Sequence, residues 1–258
     1  AVVPAKPIDD DVPAARLPRD AKTIDRDNLR KQGFVNPDAG ASALREEFRI
    51  VKRQVLATAQ ADGSPLSRRV LICSPHTGEG KTFCAVNLAL SMASERDIEV
   101  VLIDADFAKP SIASTFGIET GQGFMNALKD DTIRPEELVV ATDVEGLFLM
   151  PAGERTGSDA EYLASDRTAK VLDRLTRGAK NRILIFDSPP ALAASPAAEL
   201  AKHVGQALLV ARADATARAA LEDAVDLLSA CPDIRLILND ATFSPSGRKF
   251  GSYYGYGE

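Results

Sequence analysis

The run Gly78-Glu79-Gly80-Lys81-Thr82 places a lysine and a threonine directly behind two glycines. Glycine lets a backbone turn tightly, so that successive N–H groups converge on phosphate oxygens. A lysine at this spacing reaches the outer phosphates, and a threonine hydroxyl can ligate Mg2+. The apolar run Arg69–Cys73 leads into the loop and a helix-forming run leads out of it. That helix adds the positive end of its dipole to the anion site. The pattern G-x-x-x-x-G-K-[ST] is met except at its first position, which is Pro75. The loop therefore predicts binding of ATP and ADP with Mg2+. Thr77, Gly78, Glu79, Gly80, Lys81, Thr82 and Phe83 are its expected nucleotide-binding residues.

Two further apolar runs end in carboxylates. VVLIDADF carries Asp104 and Asp106, and ILIFDSPP carries Asp187. Residues i and i+2 of a strand share a face, so Asp104 and Asp106 can point into one site. Mg2+ prefers hard oxygen ligands, which makes Thr82, Asp104, Asp106 and Asp187 the expected metal-site residues. Asp104 or Asp106 could also accept a proton from an incoming hydroxyl. Lys81, Asp104 and Asp106 are thus the expected catalytic set.

The elements that must hold these residues follow from the hydrophobic pattern. Short apolar runs near 69–73, 100–104, 147–151, 183–187, 207–211 and 236–239 read as strands covered on both faces. Helix-like runs near 81–95, 159–178, 197–203 and 216–229 lie between them. Repeated strand–helix units predict an α/β fold with a doubly wound, mostly parallel sheet and helices on both faces. Ligands in such folds sit at the carboxyl ends of the strands, where these polar residues fall. Residues 41–57 predict a helix with an apolar stripe of Leu44, Phe48, Val51 and Val55. Residues 1–40 carry five prolines among many charges, show no apolar period, and are expected to be a mobile leader. The predicted domain spans 41–241. Residues 242–258, rich in Gly, Ser and Tyr, are expected to be a flexible tail.

Composition narrows the function classes. The 258-residue chain has a net charge of −6, which argues against nucleic acid as a partner. Its three cysteines form no CxxC pair and no metal spacing, consistent with buried thiols in a reducing compartment. No apolar run approaches the ~18 residues of a membrane span, so a cytoplasmic location is expected.

Taken together, the phosphate loop, LIDAD, IFDSPP and a terminal SYYGYGE resemble the bacterial tyrosine kinases (BY-kinases). The text GEGKTFCAVNLALSMA and VVLIDADFAKPSI is most similar to the autokinases that accompany exopolysaccharide export. The resemblance implies a P-loop kinase that autophosphorylates the tyrosines of an adjacent subunit's tail. It implies an asparagine on adenine, which maps to Asn239, and places Arg212 beside the nucleotide pocket. It implies a ring-like homo-oligomer built through an E-x-x-R-x-x-R motif, which maps to Glu46, Arg49 and Lys52. Arg53 stands next to Lys52 and, at 100° per residue, lies closer to the Glu46–Arg49 strip. The resemblance also implies a membrane polysaccharide co-polymerase as activator, a cognate tyrosine phosphatase, and a peripheral position at the inner face of the cell membrane. One departure stands out. The family usually places two basic residues after the DxD strand, and here the first is Ala108, leaving Lys109.

The tail holds Tyr253, Tyr254 and Tyr256, three of the chain's four tyrosines, and these are the expected phosphoacceptors. Each phosphorylation would add about −1.5 to −2 charges and could drive tails off acidic surfaces. A Min/Par-type ATPase, a nucleotide-gated dimer switch, is the competing expectation. Such switches carry a lysine where this loop has His76. An iron–sulfur carrier of the same superfamily would need a cysteine pair at a subunit face, and the sequence offers none.

Overall fold

The computed structural model describes residues 13–40, 42–119 and 121–241. Short apolar runs become strands here because both of their faces are covered. The strands are β1 (Arg69–Cys73), β2 (Glu99–Asp104), β3 (Val140–Ala141), β4 (Leu147–Met150), β5 (Arg182–Asp187), β6 (Gln206–Arg212) and β7 (Ile234–Asn239). They form one sheet in the order β3-β4-β2-β5-β1-β6-β7, with every pairing parallel except β3–β4.

Alternation along the strands sorts the core into two layers. Val70, Ile72, Val100, Leu102, Ile183 and Ile185 face one layer. Leu71, Val101, Ile103, Leu184 and Phe186 face the other. A period of two on buried strands requires an apolar partner on each side, and the helices supply it. The nine α-helices among the described residues are α1 (Arg26–Lys31), α2 (Ala43–Asp62), α3 (Lys81–Ala93), α4 (Ile112–Phe116), α5 (Phe124–Lys129), α6 (Asp159–Leu163), α7 (Asp166–Thr176), α8 (Pro196–Ala201) and α9 (Arg218–Leu227). Ser42 caps α2, accepting the Arg45 N–H at 3.2 Å, and Gly63 ends it in the left-handed region at φ 71°. Phe48 and Val55 of the expected stripe are buried, with Leu44 and Val51 packed beside them.

Three features depart from the sequence expectation. The helix expected over 159–178 is two helices, α6 and α7. Ser165 breaks it by donating its hydroxyl to the Tyr162 carbonyl at 2.6 Å and starting the next helix at Asp166. The helices α4 and α5 were not foreseen, since one turn is too short to show a period.

The mobile leader expected over residues 1–40 is the third departure, and its described part, 13–40, is packed. Ile24, Leu29 and Val35 are buried. The Lys22 N–H bonds the Ala141 carbonyl at 2.9 Å, and the Asp25 N–H bonds the Phe116 carbonyl at 2.8 Å. The buried amide of Asn87, on α3, accepts the Val35 N–H at 2.7 Å. Phe34 stacks on Phe83 with ring centroids 5.5 Å apart. The segment is held by single anchors on several elements rather than by one stripe, so no periodicity betrays it. The expected tail, 242–258, lies outside the described residues. No helix of the described residues is long and apolar enough to cross a membrane.

Candidate functional site

The site lies at the carboxyl ends of β1, β2 and β5, three neighbours in the sheet. Gly78 and Gly80 adopt φ of 80° and 95°, a region that strains other residues, and this turns the chain back into α3. Lys81 and Thr82 are the first residues of that helix, so the loop's N–H groups and the helix N-terminus face one crevice.

The carboxylates converge on it. Register places Asp104 of β2 opposite Asp187 of β5, and Ile72 of β1 on the other side of Asp187. The Thr82 hydroxyl donates to Asp187 Oδ2 at 2.7 Å. Lys81 Nζ lies 3.8 Å from Asp106 Oδ2. Asp104 accepts three backbone N–H groups, from Asp106 at 3.2 Å, Ser111 at 2.8 Å and Ile112 at 2.9 Å. The Lys109 N–H bonds Asp106 Oδ1 at 3.0 Å. Ser111 and Ile112 therefore shape the acidic side of the site. A sequence reading passes over them because only their N–H groups act.

Burial sets the electrostatics. It pushes Asp187 up to about 7, opposed by the Thr82 hydrogen bond and reinforced by Asp104. It pushes Asp104 up to about 6, opposed by the Ile112, Ser111 and Asp106 N–H groups and reinforced by Asp106. In both, desolvation outweighs the groups that favour the charged form, which for Asp187 include the Lys81 ammonium. Asp187 Oδ1 is buried with no hydrogen-bond partner. An orphaned oxygen beside a threonine hydroxyl fits a hard divalent cation. Among the described residues no group of three or more His, Cys, Asp or Glu side chains could hold a metal by itself.

The nucleotide-binding expectations divide. Thr77 and Gly78 are exposed at the loop, as is the His76 side chain. Asn239 ends β7 opposite Arg212 of β6 and donates its amide to the Glu79 carbonyl at 3.0 Å, which brings it onto the loop. Arg212 is occupied on the rim by Asp240, at 2.8 Å. The ring of Phe83 packs against Phe34 and Phe48 in the hydrophobic layer.

The expected subunit contact is corrected at one position. Lys52 is 4% exposed, and its ammonium pairs with Glu95 at 2.6 Å and bonds Ser94 at 3.3 Å. Its place on α2 faces the end of α3, so it is spent inside the fold. Glu46 and Arg49 pair on the outer strip, and Arg53 is exposed. The cysteines lie in the core. Burial raises Cys73 and Cys84 to about 12 and Cys231 to about 11, so no thiol is presented at a surface.

Comparison with known proteins bears on this geometry. The family model for ParA, described as an NUBPL iron-transfer P-loop NTPase, matches residues 66–230. The chain is 27% identical over 213 residues to the putative tyrosine-protein kinase EpsB of Ralstonia nicotianae, covering 82% of this chain and 27% of EpsB. It is 28% identical over 214 residues to the tyrosine-protein kinase YwqD of Bacillus subtilis, covering 82% of this chain and 84% of YwqD. The solved BceF tyrosine kinase domain superposes with a TM-score of 0.62 at 27% identity, covering 74% of this chain and 76% of that one. The chain thus resembles bacterial tyrosine kinases in sequence and fold, and it spans about a quarter of the length of EpsB.

Proposed function

The chain belongs to the ParA family of P-loop NTPases, and on that footing we propose that it is an ATP- and Mg2+-dependent protein-tyrosine autokinase. Its substrate is the tail cluster Tyr253, Tyr254 and Tyr256 of a neighbouring copy, and its setting is exopolysaccharide synthesis and export. The observation that carries this reading is the convergence of Lys81, Thr82, Asp104, Asp106 and Asp187 at three adjacent strand ends.

Phosphoryl transfer needs positioning and charge neutralisation more than covalent chemistry. The loop N–H groups and Lys81 orient the triphosphate. Thr82 and Asp187, with Asp104 and Asp106 alongside, hold Mg2+, which when bound offsets charge on the phosphates. The DxD pair supplies the proton acceptor for the tyrosine hydroxyl. Asn239 meets the base, and Arg212 lines the same rim. Glu46, Arg49 and Arg53 form the subunit contact of a ring. A membrane co-polymerase activates the kinase at the inner face of the membrane, and a tyrosine phosphatase resets it.

The relatives' names favour a kinase, while the matched family model is described as an iron-transfer P-loop NTPase. His76 stands where a dimer switch would carry lysine, and the buried thiols offer no carrier site. Incubation with Mg-ATP followed by mass-spectrometric mapping tests the assignment. Phosphate on Tyr253, Tyr254 or Tyr256, abolished by Lys81→Met, is the expected result. ATP binding without any tail label, with a co-polymerase activator present, would overturn it in favour of the switch.

A further inference from the structure

A carboxylate is an unusual component of a phosphate cradle, because it repels the ligand that the loop attracts. Glu79 nevertheless sits between Gly78 and Gly80, and it is 5% exposed. Its bonds explain how the loop tolerates it. One carboxylate oxygen accepts the His76 N–H at 2.7 Å, inside the loop. The other accepts the hydroxyl of Thr216, in the turn that follows β6. Thr216 Oγ1 in turn accepts the Arg212 N–H at 2.8 Å.

The backbone of Glu79 is engaged from the same side. Its carbonyl accepts the Asn239 amide at 3.0 Å, and the Asn239 carbonyl accepts the Ala213 N–H at 2.9 Å. A Cβ added at Gly80 would fall 2.0 Å from the Asn239 amide nitrogen, so a side chain there would push that amide off the loop. Glu79 therefore joins three neighbouring strand ends: the loop after β1, the turn after β6 and the end of β7.

We propose that Glu79 is a positioning residue that couples the phosphate loop to the base side of the nucleotide site, through Thr216 and Asn239. The proposal rests on the nucleotide-binding reading given above and deepens it. Base and phosphates are then gripped cooperatively, because the network that fixes the loop also fixes Asn239. A carboxylate suits this role. It accepts both bonds at once, and hydrogen bonds to a charged group are roughly twice as strong as neutral ones.

The test compares Mg-ATP with Mg-tripolyphosphate, which carries phosphates and no base. Calorimetric affinities are measured for wild type, Glu79→Gln, Thr216→Val and the double variant. Thr216→Val removes the bond to Glu79 and the one from the Arg212 N–H, in a half-buried turn, and leaves the loop sequence intact. Each single variant is expected to weaken ATP about tenfold while leaving tripolyphosphate within about twofold. The double variant is expected to lose little more than either single one, since one linkage is broken in all three. Equal losses for both ligands would reduce Glu79 to general loop support and overturn the coupling, as would unchanged ATP affinity. A wild-type protein that binds neither ligand would overturn the nucleotide-binding reading itself.

Discussion

The Thr82 hydroxyl donates to one oxygen of Asp187 at 2.7 Å, while the other oxygen of that fully buried carboxylate has no partner. One oxygen is satisfied by Thr82 and the other is buried without a partner, so ionisation of this carboxyl is costly in the ligand-free protein. The first prediction follows. Asp187→Asn should raise the stability of the ligand-free protein at pH 8 by about 1–3 kcal/mol, because it removes an unpaired buried charge. The same variant should lose most of the Mg2+-dependent gain in ATP affinity. Urea denaturation and calorimetry with and without Mg2+ check the two halves, and a destabilised variant would contradict the unpaired charge.

The pH dependence has a definite sign. Asp104 and Asp187 have folded pKa values of about 6 and about 7, above the unfolded range. Between those limits the folded state binds more protons than the unfolded state. Their stabilising contribution is therefore full below about pH 4 and is lost as pH rises through about 6 and then about 7. Mg-ADP competes with those protons. Its stabilising increment in a thermal melt should be larger at pH 8 than at pH 5.5, and an increment that shrinks with rising pH would contradict this.

The packed leader should contribute to stability. Leu29 is 0% exposed, so Leu29→Ala should cost about 2–5 kcal/mol in urea denaturation. Asn87→Ala should also destabilise, since it strands the buried Val35 N–H, whose bond length is 2.7 Å. A detached leader would leave both variants at wild-type stability.

Assembly should depend on the outer strip of α2. Charge reversal at Arg49 and Arg53 should dissociate the proposed oligomer in native mass spectrometry and leave the monomer's melting temperature nearly unchanged. Lys52→Met should lower the melting temperature instead, because it breaks the 2.6 Å pair with Glu95 at a site 4% exposed. An oligomer insensitive to Arg49 and Arg53 would remove this contact from the proposal.

Much of this was readable from the chain because it is local. A strand buried on both faces is a short apolar run, and the six runs read from the sequence are β1, β2, β4, β5, β6 and β7. A phosphate loop is a contiguous string of glycines, lysine and threonine, so Lys81 and Thr82 were legible, and the polar ends of β2 and β5 marked Asp104, Asp106 and Asp187. The leader, with its scattered anchors, was not. Phe83 was expected at the nucleotide, and nothing near it in sequence announces Phe34 or Phe48 as its neighbours.

By itself, the sequence determined six of the seven strands of the described sheet, the glycine-rich loop and the identity of the carboxylates. The tertiary structure decided which groups already have partners. It turned Lys52 inward to Glu95, tied Glu79 to Thr216, and left one buried oxygen of Asp187 without a partner. These outcomes depend on contacts between residues 43, 137 and 105 positions apart in the chain for Lys52–Glu95, Glu79–Thr216 and Thr82–Asp187. The spacing of residue types carries no information across such separations, since only the packed sheet brings the groups within reach.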